Sequence, residues 1–386
     1  MRAVICGAGI AGLALAWWLE RDGWEVVLVE RSRGPRGEGY MIDFFGPGYD
    51  VAERMGMLPD LDKIQTTITS VEYIRPDGRS EGRLDYGRFA AAFDGRAYTF
   101  LRGDLEGVLR GAVEGRVEIR YETTIEKVDD RGGGVHIGLS GGVTERADLL
   151  VGADGIHSGV RDLVFGSEAA AERYLRYHTA SFLLRDPYLY QRVGDRFLVV
   201  AVPDRQVGLY PTGDGRLAVW LVHREADRAL PAQPRRRLQA RYTDMGGLVH
   251  DALQHCPDGD GLYYDRVSQI EMTGWVRGPV TLAGDACQAV SLMAGQGASM
   301  AVGAAYVLAE ELRRGGGVVS AATRYEGRLL PLVRDKQKAG RRTARWLVPG
   351  HQWELAVRAA AFAALRLPGV PWLMRPLLKS MQASVL

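Results

Sequence analysis

Apolar runs and glycines alternate along the first thirty residues in a way that predicts strand, turn, helix and strand. Arg2–Cys6 (RAVIC) is apolar over the length of a buried parallel strand. It runs directly into Gly7-Ala8-Gly9-Ile10-Ala11-Gly12, and LALAWWLERD then reads as a helix stopped by Gly23. Residues 24–30 (WEVVLVE) form a second buried strand that ends on an acid, Glu30. Further strands are expected at 135–139 and 147–151 around a Gly141-Gly142 turn, and at 280–283. A long helix over 298–314 (ASMAVGAAYVLAEELRR) opens at Gly295-Gln296-Gly297 and closes at Gly315 to Gly317.

The middle of the chain changes period. Segments 180–185, 197–202, 207–210 and 216–223 read as strands of an antiparallel sheet, with Thr212-Gly213-Asp214-Gly215 as one turn. Alternation puts Arg216, Ala218, Trp220 and Val222 on one face and Leu217, Val219, Leu221 and His223 on the other. The tail from Arg328 to Leu386 is rich in Arg and Trp. Pro349, Pro368, Pro371 and Pro376 divide it into short helices expected to pack back on the rest. Its other reading is an interfacial element with Trp346, Trp353 and Trp372 as membrane anchors, and packing is the reading preferred.

Composition narrows the classes. Of 386 residues 46% are apolar and 25% charged, as in globular domains, which excludes disorder and fibrous architectures. A net charge of +2 and the lack of a basic stripe argue against nucleic acid as a partner. No apolar run reaches the ~18 residues of a membrane span, and the glycines interrupting the N-terminal apolar stretch argue against a signal peptide. Three cysteines, Cys6, Cys256 and Cys287, show no metal-ligand spacing, so no metal site is expected and a reducing cytoplasm is. Glycine is the outlier: 49 residues, about twice the ordinary share of ~7%.

The N-terminal glycines have assignable tasks. Gly7 permits a tight turn, Gly9 lets backbone approach a pyrophosphate, and Gly12 lets helix and strand pack closely. The helix N-terminus at Ile10-Ala11 offers free N–H groups to phosphate, and Glu30 is placed to accept ribose hydroxyl protons, with Arg31 beside it. This unit alone does not separate FAD from NAD. There is no second GxGxxG; Gly46-Pro47-Gly48 lacks the third glycine.

Two more glycine motifs, Gly152-Ala153-Asp154-Gly155-Ile156-His157-Ser158-Gly159-Val160-Arg161 and Gly284-Asp285-Ala286 followed by Gly295-Gln296-Gly297, complete a pattern. In this order and spacing the chain resembles the group A FAD-dependent monooxygenases, the family of para-hydroxybenzoate hydroxylase and the tetracycline-inactivating hydroxylases. The resemblance implies an α/β fold: a Rossmann-type FAD-binding domain (1–70, 101–178 and 268–315) interleaved with an antiparallel substrate-binding sheet domain (71–100 and 179–267), and C-terminal helices (316–386). It implies that Gly7, Gly9, Gly12 and Glu30 bind the adenosine diphosphate of FAD, and that Asp154-Gly155, closed by Arg161, serve FAD and nicotinamide. Gly284-Asp285 would meet the ribityl and pyrophosphate region. Gly295, Gln296, Gly297 and Ala298 would line the ring, and Arg36 and Arg102 would contact the flavin. Tyr210, Trp220, His223 and Met293 are the candidates for the substrate pocket. The third motif departs from the family pattern at Gln288, Leu292, Ser299 and Ala304, where His, Pro, Asn and Asp are usual.

The activity implied is hydroxylation or epoxidation of an aromatic, polyketide-like or other small hydrophobic substrate, with NAD(P)H and O2 as co-substrates and a flavin C4a-hydroperoxide as oxygen donor. No protein side chain is singled out as catalytic, because the flavin carries the chemistry. The altered third motif leaves room for a reductase on the same scaffold, akin to the geranylgeranyl reductases; the third alternative is a non-catalytic flavin- or small-molecule-binding protein.

Overall fold

A computed structural model describes residues 1–35, 40–87, 94–130, 132–291 and 295–364. Its centre is a six-stranded sheet in the order Val276–Arg277, Val280–Leu282, Leu149–Gly152, Arg2–Cys6, Glu25–Val29, Glu118–Arg120. All neighbours are parallel except the first two strands, which pair antiparallel. Val4, Ile5, Leu28, Val29, Leu149 and Leu150 are almost wholly buried, as expected of parallel strands covered on both faces. Helix Ile10–Arg21 covers one face, and Gly297–Arg313 packs against that helix.

The expectation for 147–151 resolves into two strands. Ala147 ends Thr144–Ala147, which pairs with Val135–Leu139 through the Ser140–Gly142 turn, whereas Leu149–Gly152 belongs to the central sheet. Asp148 separates them, its carboxylate accepting from the Arg2 backbone N–H at 2.7 Å.

The second large sheet has seven strands in the order Leu262–Ile270, Glu172–Leu184, Leu217–Arg224, Arg205–Pro211, Arg196–Val202, Ser70–Ile74, Ser80–Asp85. It is antiparallel except where Arg196–Val202 runs parallel to Ser70–Ile74. Glu172–Leu184 begins eight residues before the expected strand and runs through the expected domain boundary at 178/179. A two-stranded ribbon, Met41–Phe45 with Ala97–Leu101, lies between the two sheets: Met41 N–H donates to the Tyr210 hydroxyl at 2.6 Å, and Phe45 N–H to Ser299 Oγ at 3.3 Å.

Among the described residues the expected short pieces of the tail appear only at Pro349. Before it a single helix of 30 residues, Val318–Leu347, carries Pro331 in its interior. Buried Ala321, Tyr325, Leu329, Val333, Gln337 and Ala344 recur at helical spacing and hold the helix along the molecule. Gln352–Ala364 follows; Trp372, Pro368, Pro371 and Pro376 lie outside the described residues. Among the described residues no helix is long and apolar enough to cross a membrane.

Candidate cofactor and substrate site

The three glycine motifs meet because the central sheet aligns Cys6, Gly152 and Leu282 at the C-terminal ends of adjacent parallel strands. Ligands of open α/β sheets bind at such ends. Here they enclose two adjoining chambers of about 390 and about 220 Å³, together within the range of roughly 300–1,000 Å³ typical of ligand sites. Both chambers are walled by Gly9, Tyr40, Arg102, Gly155, Tyr263 and Asp285.

The loop after the first strand is built around two steric facts. Gly7 has φ +105°, and a Cβ there would lie 2.4 Å from Ala153 O; a Cβ on Gly12 would lie 1.9 Å from Gly7 O. Only glycine closes strand, turn and helix this tightly. The N-terminus of Ile10–Arg21 then faces the cavity with no side-chain cap, leaving N–H groups free for an anion. Glu30 lies beside the loop: its Oε2 accepts from Ala8 N–H and its Oε1 from Ser32 N–H, both at 2.9 Å. Arg31 lines the same chamber.

In the second motif Ser158 caps helix Gly159–Phe165 by accepting from Arg161 N–H at 3.0 Å and donates its own hydroxyl to Asp154 Oδ1 at 2.5 Å. Burial raises the Asp154 pKa against the hydrogen bonds from Ser158 and Val160. Asp154 and Gly155 reach the cavity. Arg161 does not: it is fully buried and ties the motifs together, donating to Ile156 O at 2.8 Å and Ala286 O at 2.9 Å.

Asp285 sits deep in the protein with its carboxylate open to the cavity; burial raises its pKa, and Arg102 opposes the rise. Burial works against the charge on Arg102, but Tyr40, Glu106 and Asp285 outweigh it and hold the guanidinium above its ordinary value. Burial pushes the Tyr40 phenol up to about 12, so it stays a neutral donor at physiological pH. Gly295, Gly297 and Ala298 line the inner chamber, while Gln296 is the N-cap of Gly297–Arg313, again with no side-chain cap. Gly284 has φ +60°, and a Cβ there would lie 2.7 Å from Ala11 Cβ, so it brings the first and third motifs together.

Two uncapped helix N-termini and the glycine cradle on one continuous cavity fit an elongated dinucleotide carrying phosphates at one end and an anionic ring at the other. Ile10 and Ala11 line the inner chamber, where the two ends meet. Arg36 and Met293 lie outside the described residues, as does Leu292. The departures are absorbed locally: Gln288 donates to the buried Tyr325 hydroxyl at 2.8 Å, Ser299 accepts from Phe45 N–H, and Ala304 is buried within its helix.

The substrate-pocket expectations need correction. Tyr210, Trp220 and His223 are not on the cavity wall. Tyr210 anchors Met41, Trp220 Nε1 donates to Thr179 Oγ1 at 3.0 Å, and His223 points to the opposite face, against Tyr242. The edge strand Leu262–Ile270 supplies wall residues instead, notably Tyr263, Asp265 and Val267. Their alternation along one strand is the sequence signal that would have found them. Glu106 and Arg110 were also missed; they follow Arg102 at four and eight residues on helix Arg102–Val113, one face of one helix. Asp43, accepting from Thr99 Oγ1 at 2.8 Å and from the Tyr86 hydroxyl, closes the inner chamber.

The chain matches the FAD binding domain family over residues 1–326. An uncharacterized protein of Mycobacterium tuberculosis is 34% identical over 322 residues, covering 81% of this chain and 85% of the relative. A flavin-dependent monooxygenase from an unknown prokaryotic organism is 28% identical over 346 residues, covering 88% of each chain. Among solved structures, tetracycline destructase Tet(51) superposes with a TM-score of 0.80 at 26% identity, covering 94% of this chain and 95% of that one. Klebsiella pneumoniae HpxO, solved with FAD and uric acid, superposes with a TM-score of 0.83 at 21% identity, covering 100% and 96%, and shares the fold. With the GxGxxG loop, the Asp154-Gly155 turn and the Gly284-Asp285 turn on one cavity, this chain belongs to the FAD binding domain family, as one of its flavin-dependent monooxygenases.

Proposed function

We propose that this monooxygenase inserts one oxygen atom into a small aromatic, polyketide-like or otherwise hydrophobic substrate, with NAD(P)H as electron donor. The carrying observation is the inner chamber. It joins the glycine-lined end to an apolar and aromatic wall of Tyr40, Tyr263, Met41, Val267 and Val290, with Asp43, Thr179, Asp265, Arg266 and Ser268 as the polar groups beside it. An apolar wall with a few convergent polar groups is the chemistry of a pocket for a flat hydrophobic ligand.

FAD, when bound, supplies the two-electron chemistry and the activation of molecular oxygen. The chain's part is to hold, orient and keep water out. Glu30 would accept from ribose hydroxyls, while the N-terminus of Ile10–Arg21 and Arg102 would hold the diphosphate. Asp285 and Gly297 would meet the ribityl chain and ring, where the dipole of the 17-residue helix Gly297–Arg313 would contribute about 0.3–2 kcal/mol toward negative charge. Asp154 and Gly155 stand where the nicotinamide would approach, and Arg161 fixes that turn from behind. In this reading the large sheet is the substrate-binding half, the parallel sheet the FAD-binding half, and the C-terminal helices a brace. Cytoplasmic location accords with three buried free cysteines.

The test is turnover of NADPH and NADH by the FAD-loaded protein with a panel of phenols and polyketide-like enols under isotopically labelled O2. Substrate-stimulated oxidation and one labelled oxygen in the product are expected. A product changed only in hydrogen count would replace this reading with the reductase one.

A further inference from the structure

The outer chamber contains a carboxylate that the bound-cofactor reading has no use for. Glu106 is only 6% exposed, and both its oxygens are taken: Oε2 by Arg102 Nη1 at 3.2 Å and Oε1 by Arg110 Nη2 at 2.9 Å. The two arginines flank the glycine loop. Arg110 Nη2 lies 3.5 Å from Ala8 O, and Arg102 Nη2 lies 3.7 Å from where a Gly9 Cβ would project. Glu106 therefore occupies the two cations beside the glycine loop, where a diphosphate would lie. The rest of the described wall adds to the effect. Glu30, Asp154, Asp265 and Asp285 face the same chamber, against Arg31, Arg102 and Arg110, so acids outnumber guanidiniums around an incoming anion.

Resting on the assignment of FAD to this cavity, we propose that Glu106 is an internal competitor for the diphosphate and Arg110 a second diphosphate-side contact, so that FAD is held as an exchangeable cofactor. The competition follows from the geometry. Each arginine already gives Glu106 one contact before the cofactor arrives, so phosphate meets guanidiniums whose charge that carboxylate partly offsets. Removing the Glu106 charge does not free Arg110 to wander, because Arg110 also donates to the Tyr121 hydroxyl and to Ala8 O. The carboxylate restrains the arginines less than it neutralises them, and that decides the sign of the effect.

The full-length chain, stripped of flavin and titrated with FAD while flavin fluorescence is followed, tests this without turnover. Glu106→Gln keeps the shape and the acceptor oxygen and should tighten FAD at least tenfold. Glu106→Ala, which removes both, should also tighten it. Arg110→Gln should weaken FAD about tenfold or more, with a smaller effect on FMN, which lacks the adenosine-side phosphate. ADP, competing against FAD, should follow the FAD pattern across the variants. Weaker or unchanged FAD binding in both Glu106 variants would overturn the proposal and leave Glu106 a strut for the arginines. Failure of the unsubstituted chain to bind FAD at all would instead overturn the cofactor assignment beneath it.

Discussion

Gly9 and Gly12 are three residues apart in one motif, yet they meet different demands. A methyl group on Gly12 would sit 1.9 Å from Gly7 O, so helix and strand must separate; a methyl group on Gly9 meets nothing nearer than a flexible Arg102 nitrogen at 3.7 Å. Gly9 also has φ −86°, which any residue adopts. Gly12→Ala should therefore destabilise the protein by about 1–3 kcal/mol or more, lowering its melting temperature with or without FAD. Gly9→Ala should leave the flavin-free melting temperature within a degree or so while weakening FAD, because its methyl projects into the space the phosphates need. Thermal melts paired with fluorescence titration separate the two. Equal losses of stability in both variants would mean that the loop acts as one steric unit. Both glycines were legible in the sequence because the motif's spacing encodes close approach. Arg161 was legible as a residue but not as a role, since nothing local shows that its guanidinium crosses to Ala286, 125 residues on.

At the scale of elements, legibility followed local regularity. Strands flanking glycine turns were readable because a buried parallel strand is a short continuous apolar run. The 13-residue strand Glu172–Leu184 was visible only in its second half. Arg176 has φ +66°, and the pairing with Leu262–Ile270 shifts register between Tyr174 and His178, so alternation breaks at the bulge. That break also hid which face of the sheet meets the cavity, and hence why His223 is not a pocket residue. His223 and His178 instead form a buried polar cluster with Tyr242 and Tyr264. Burial, with help from Arg241 and His178, pushes the His223 pKa down to about 3 despite Glu225. Burial likewise lowers the His178 pKa against Glu225 and Asp265. The His223 ring is neutral in the folded protein but gains a proton near pH 6.5 once unfolded, and His178 is biased the same way. The contribution of His223 is therefore complete above about pH 6.5 and is lost as pH falls toward its folded value, at roughly 1.4 kcal/mol per unit, and His178 adds to it in the same direction. Urea midpoints should drop between pH 7.5 and 5.0, a window above most carboxylate titrations. His223→Gln should flatten most of that drop; an unchanged slope would show that the buried cluster is not its source.

At the scale of the whole molecule, the helix Val318–Leu347 does what no local signal announced: it fastens the strand that walls the cavity. Gln337, 3% exposed, donates to Ile270 O at 2.6 Å and Ala289 O at 3.1 Å, while its own carbonyl accepts from Gln269 Nε2 at 2.9 Å. Gln269 Nε2 also donates to Val290 O at 2.8 Å, and Arg341 donates to Gln269 Oε1 at 2.9 Å. Ala289 and Val290 line the inner chamber, so a helix some fifty residues further along the chain sets one edge of the site. The packing stripe around Gln337 positions the amide, which donates to Ile270 O and joins the Ile270 N–H on Ala289 O. Gln337→Leu preserves volume and apolar packing but strands the Ile270 carbonyl, at about 1–3 kcal/mol, and leaves Ala289 O with its bond from Ile270 N–H at 3.2 Å. The variant should melt several degrees lower and bind FAD less tightly, with the loss of affinity reversed by stabilising osmolytes if it arises from loosening of the 289–290 edge. Lys338→Ala is the matched control one residue along. Its ammonium is largely exposed and paired only with the equally exposed Asp335 at 3.4 Å, an interaction worth under about 1 kcal/mol, so both readouts should stay where they are. If Gln337→Leu behaved like Lys338→Ala, the brace would rest on the apolar stripe of Tyr325, Leu329 and Val333 alone, and the polar lock would contribute nothing to the shape of the site.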